Sequence, residues 1–142
     1  MSKILKISDN GKDFGYVTLK GEVFYGGGSR SEAAKFDLEK YKNESNTFYF
    51  KLTGTKESYM DVKAASSRIQ IVKPTFSVDS SSICAWRIEN QELQMIISSH
   101  FTGKCLSRST DDKESKALYG NILGSHCTVT MEEVAKNEME EA

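Results

Sequence analysis

Short runs of alternating apolar and polar residues recur along this chain, broken about every ten residues by polar or glycine-bearing turns. Successive side chains of a strand point to opposite faces, so a two-residue period buries one face of a sheet and wets the other. The runs are Ile4–Ile7, Tyr16–Leu19, Glu22–Tyr25, Phe36–Leu38, Phe48–Leu52, Tyr59–Val62, Arg68–Val72, Ile83–Ile88, Leu93–Ile97, Cys105–Leu106, Ala117–Tyr119 and Cys127–Met131. Helical periodicity is hard to find before about residue 130. Eleven or twelve short strands at this spacing predict an all-β barrel or sandwich. An immunoglobulin-like sandwich needs fewer strands, and a lipocalin-like barrel needs longer ones.

The 142 residues suit one domain, with 38% hydrophobic and 27% charged side chains. The formal net charge is −1, from 19 basic and 20 acidic residues, and gives no support to a nucleic-acid partner. No stretch approaches the roughly 18 apolar residues of a membrane-spanning helix. Residues Met1–Ser8 are too interrupted for a signal-peptide core, so the expected location is the cytoplasm, or outside the cell after export without a signal peptide. Cys84, Cys105 and Cys127 lack C-x-x-C spacing and read as reduced thiols, with one disulfide plus a free thiol as the alternative.

The runs fall into three blocks. Tyr16, Tyr59 and Cys105, 43 and 46 residues apart, each precede an apolar residue: Val17, Met60 and Leu106. Nine residues before them stand Ile7, Phe50 and Ile96. A third apolar group follows each anchor (Phe24-Tyr25, Ile69-Gln70-Ile71, Leu118-Tyr119). A closing triplet ends each block (Phe36-Asp37-Leu38, Trp86-Arg87-Ile88, Val129-Thr130-Met131).

Three units of four short strands resemble the β-trefoil superfamily, with Gly103-Lys104-Cys105-Leu106-Ser107 nearest to the family's pattern. There cysteine replaces the aromatic of the actin-binding and growth-factor trefoils. The resemblance implies one trefoil domain over residues 1–131, followed by an acidic tail or short helix over 132–142. It also implies a non-catalytic module that binds through surface loops. The partner is expected to be a protein, in the manner of cytokines or of fascin-like and hisactophilin-like cytoskeletal proteins, or alternatively a carbohydrate. The Gln-x-Trp triplets of ricin-type lectins are missing, as are a histidine-rich loop and a heparin-binding basic cluster.

Candidate chemistry is sparse, and no catalytic, cofactor-binding or metal-ligating residue is assigned. His100 and His126 are far apart, and the adjacent His126-Cys127 would face opposite sides of a strand, so no metal is expected. Cys105 lies five residues from His100 but reads as core, and Ser80-Ser81-Ser82 stands in no nucleophile elbow. Gly26-Gly27-Gly28-Ser29-Arg30-Ser31 lacks the lysine followed by serine or threonine that a phosphate loop needs after its last glycine, and reads as a flexible hairpin tip. Trp86, the one tryptophan, is expected in the core rather than against a sugar ring.

Overall fold

Phe48–Leu52 shows why these sequences make strands. Phe50 is wholly buried on one face and Tyr49 on the other, and Phe48 packs beside Phe50. The computed structural model describes residues 2–9, 12–42, 44–55, 57–64, 70–76, 83–89, 91–97, 100–108, 118–119 and 128–134. Among them are thirteen strands: β1 (Lys3–Asp9), β2 (Lys12–Lys20), β3 (Val23–Gly28), β4 (Phe36–Lys40), β5 (Thr47–Leu52), β6 (Ser58–Ala64), β7 (Gln70–Phe76), β8 (Ala85–Glu89), β9 (Glu92–Ile97), β10 (His100–Cys105), β11 (Ser107–Arg108), β12 (Leu118–Tyr119) and β13 (Thr128–Glu133). The described residues contain no α-helix, only a 3-10 turn at Arg30–Glu32. The protein is all-β, with its strands in one curled sheet and every pairing antiparallel.

One path of pairing runs β13–β1–β4–β5–β8–β9. Its ends meet where Val129 N–H donates to the Gln91 carbonyl at 2.6 Å. The hairpins β2–β3 and β6–β7 branch from this path, and β12 pairs with β7 and β11. Side chains from both sets fill one core. Val17, Met60 and Leu106 are fully buried in it, as are Phe24, Val72 and Leu118. So are Phe36 and Trp86, with Val129 nearly so. Phe36 stacks between Phe24 and Phe50, with ring centroids 5.8 and 5.7 Å apart.

The structure changes four details of the sequence reading. Ile96 faces away from this core and belongs to a second cluster with Tyr49 and Tyr59, while its neighbours Leu93 and Met95 point inward. In β7 Val72 is buried, while Ile69 and the side chain of Ile71 lie outside the described residues. Glu132 and Glu133, expected in the tail, end β13, and Val134 after them is buried. Residues 135–142 lie outside the described part.

The fourth concerns the glycines. Gly26–Gly28 is not a hairpin tip but the end of β3, with Gly28 opposite Tyr16 in the ladder to β2. A Cβ on Gly28 would sit 2.1 Å from Thr18 Cγ2. Gly15, at φ +73°, would bring a Cβ within 2.8 Å of the Gly27 backbone. The glycines therefore let two backbones approach where side chains would hold them apart.

Candidate functional site

Three ladders carry the same order of partners. In β1–β13, Leu5 faces Met131 and Ile4 faces Glu132. In β4–β5, Phe50 faces Leu38 and Tyr49 faces Glu39. In β8–β9, Leu93 faces Ile88 and Glu92 faces Glu89. The adjoining hairpins agree: Lys6 pairs with Tyr16, Lys51 with Tyr59 and Gln94 with Cys105. Each ladder thus has a glutamate at the matched place (Glu132, Glu39, Glu89), beside a position that is tyrosine twice and cysteine once.

At the β1–β13 ladder the Tyr16 hydroxyl donates to both oxygens of Glu132, at 3.0 and 2.9 Å. Arg30 Nε lies 3.4 Å from the same carboxylate, and Lys6 stands over the Tyr16 ring at 5.7 Å. Beneath this polar layer Ile4, Ala33 and Val134 form a small buried cluster against Tyr16. Burial, and then the Glu132 carboxylate, raise the Tyr16 hydroxyl's pKa and keep it a donor.

At the β4–β5 ladder the Tyr59 hydroxyl donates to Glu39 at 2.7 Å, and Lys51 lies 3.8 Å from the carboxylate's other oxygen. Tyr41, Tyr49 and Tyr59 meet edge to face, with centroids 5.2 and 6.0 Å apart, over Ile83, Ala85 and Ile96. Burial first, and Glu39 second, push the Tyr59 phenol up to about 12.

The β8–β9 ladder departs from both. Glu89 is the most exposed of the three carboxylates, at 52% of its side chain against 43% for Glu39 and 31% for Glu132. It has a cation, Arg87 Nε at 3.3 Å, but among the described residues no tyrosine hydroxyl donates to it. Arg87 also donates through Nε and a terminal nitrogen to Gln94 Oε1, at 2.9 and 2.7 Å. Where the other ladders place Ile4 and Tyr49 opposite the glutamate, this one places Glu92. The turn is formed through Gln91, exposed and left-handed at φ 62°. The outcome is a mixed-charge surface at a place where the other two ladders are sealed by apolar side chains and a phenol. Such a surface offers hydrogen-bonding groups and charges of both signs.

The residues weighed from sequence fall elsewhere. Trp86 is fully buried and its indole N–H donates to the Met60 carbonyl at 3.2 Å, which removes it as a stacking platform. Cys84 is a free, buried thiol whose pKa is raised by burial and by Asp61; that carboxylate accepts the Cys84 N–H at 3.0 Å. Ser29 opens the 3-10 turn, its N–H and hydroxyl both donating to Glu32. Ser80–Ser82, His126, Cys127 and the side chains of His100 and Cys105 lie outside the described part. Among the described residues no three of His, Cys, Asp and Glu gather as metal ligands. No helix of the described residues is long and apolar enough to cross a membrane.

Sequence reasoning missed Glu89. The signal was present: counting three residues on from Phe36, Trp86 and Val129 gives Glu39, Glu89 and Glu132. No protein-family model matches the chain, and no curated protein matches it.

Proposed function

We propose that this chain is a β-trefoil of three four-stranded units acting as a non-catalytic protein-binding module. Its partner, cytoskeletal or cytokine-receptor-like, engages the surface at β8, β9 and β10. The trefoil reading is supported by the repeated register of the three ladders and by the six-strand path whose ends meet at Val129 and Gln91. Matched burial supports it as well: Leu5, Phe50 and Leu93 take one place, and Val17, Met60 and Leu106 another.

One observation carries the binding reading: Glu89 stands exposed at the ladder where the unit's own pattern calls for a buried seam. A fold that departs from its repeat at one of three matching places does so where something other than its own packing is served. A protein partner is favoured over a sugar because several of the described aromatic faces on which a pyranose could stack are withdrawn. Trp86, Tyr41, Tyr49 and Tyr59 are buried, and the Tyr16 hydroxyl is held by Glu132. The buried Cys84 supports a non-catalytic role, since its thiol is held protonated away from water.

The test joins a glycan array to actin co-sedimentation and receptor-binding assays on the purified protein. The expected result is a blank array and saturable protein binding that Glu89→Arg weakens at least tenfold. A sugar hit that free sugar competes away overturns the protein reading. Protein binding indifferent to Glu89→Arg overturns the placement at this surface.

A further inference from the structure

We infer that the corner where β13 docks beside β1, β2 and the 3-10 turn is an acid-sensitive latch, closed while its carboxylates are ionised and loosened when they take up protons. Underneath, the corner is small and apolar: Ile4, Ala33 and Val134 pack there against Tyr16. Two backbone bonds close it. Val134 N–H donates to the Ser2 carbonyl at 2.9 Å, and Ala33 N–H to the Arg30 carbonyl at 3.3 Å.

Four carboxylates hold the cover in place through charge-assisted bonds. Glu132 accepts the Tyr16 hydroxyl on both oxygens, with Arg30 Nε 3.4 Å away. Glu133, next to it, lies 2.6 Å from Lys3 Nζ. Glu32 accepts the N–H and the hydroxyl of Ser29 at 3.0 and 2.9 Å, which fastens the turn that carries Arg30 and leads into Ala33. Asp13 accepts the Gly15 N–H at 2.7 Å and lies 3.3 Å from Lys6 Nζ, just before Tyr16. The Ser29 N–H, Lys3 and the Gly15 N–H hold Glu32, Glu133 and Asp13, in that order, below their usual carboxylate values. Lys6 also faces Glu132, Lys20 faces Glu32, and the terminal amino group faces Glu133. β9 meets β13 at its other end, where Val129 bonds Gln91.

Protonation of these four groups removes their negative charge and leaves Lys3, Lys6 and Arg30 gathered over Ile4, Ala33 and Val134. A single surface ion pair contributes little, so the latch lies in the set and not in any one member. Groups whose folded values are lowered stabilise fully above their ordinary values, 4.5 for Glu32 and Glu133 and 3.8 for Asp13. That contribution is lost as pH falls through the lowered values.

Hydrogen exchange on the full chain tests this, read as protection factors so that the intrinsic effect of pH cancels. Between about pH 7 and about pH 3.5 the Val134 and Ala33 amides should lose at least tenfold in protection while the β4–β5 ladder keeps its own. Glu132→Gln with Glu133→Gln imposes the protonated charge at neutral pH. There it should speed exchange at Val134 several-fold and leave β4–β5 unchanged. Equal protection of Val134 in this variant and the wild type overturns the latch. So does wild-type protection that stays constant as the pH falls, or acid loss that strikes β4–β5 and the corner together, which is global unfolding. If the double variant does not fold, the wild-type acid series decides alone.

Discussion

The Tyr16 hydroxyl donates to both carboxylate oxygens of Glu132, a residue 116 positions away, so one phenol ties β2 to the last described strand. Tyr16→Phe removes the donor and leaves the ring. Arg30 remains beside Glu132, so the carboxylate is not stranded. The loss should be about 1 kcal/mol, near the lower end for a bond to a charged group because both partners are partly wet. Urea unfolding measures it; an unchanged midpoint would show that the bond adds nothing to stability.

Phe50 is fully buried in the core, its ring edge to face with that of Phe36 at 5.7 Å. Phe50→Ala should destabilise by about 3–5 kcal/mol through lost burial and a residual cavity. The urea m value should stay constant. A loss under about 1 kcal/mol would place Phe50 outside the core.

Gly28 leaves no room for a methyl group, because Thr18 Cγ2 occupies its place. Gly28→Ala should cost about 1–3 kcal/mol through overpacking. Thr18→Ser deletes that Cγ2 while keeping the hydroxyl. The double variant should therefore recover most of the loss, giving a coupling that thermal or urea unfolding can read. Simple additivity of the two changes would rule out the steric account.

Tyr59 supplies a pH signature. Its folded pKa is raised from 10.0 to about 12 by burial and by Glu39. A raised acid favours the protonated form in the folded state. The stability it contributes is therefore complete below pH 10.0 and is lost as pH climbs towards about 12. Absorbance of tyrosinate should show a late component that titrates together with loss of structure. Tyr59→Phe should remove that late component, and its persistence would assign it to another tyrosine.

Much of the core was legible because alternation is a local property. Phe36, Trp86 and Val129 were matched by their triplets alone and are all buried in the main core. The fixed nine-residue step back from the anchors was less secure. Ladder partners show Ile7 matching Leu52 and Met95, with Leu5 matching Phe50 and Leu93. Bulges lie between Lys6 and Ser8, and between Phe101 and Cys105, so the hairpins differ in length. A single extra residue turns an inward side chain outward, which is what befell Ile96. Gly26–Gly28 misled for another reason: a glycine run signals a turn in sequence, and only the Thr18 contact reveals close strand approach. Glu89 was hidden because its meaning lies in comparison with Glu39 and Glu132, whose tyrosine partners stand 20 and 116 residues away in sequence.

The β1–β13 ladder also sets a timetable for synthesis. Leu5 and Ile7 find their Met131 and Val129 neighbours only after almost the whole described chain has been made. On a ribosome that releases a chain from its N-terminus, one edge of β1 stays without its partner strand until residues 128–133 have emerged. Pairings so distant in sequence slow the folding search. β1, the first of the described strands, is thus among the last of them to be fully enclosed.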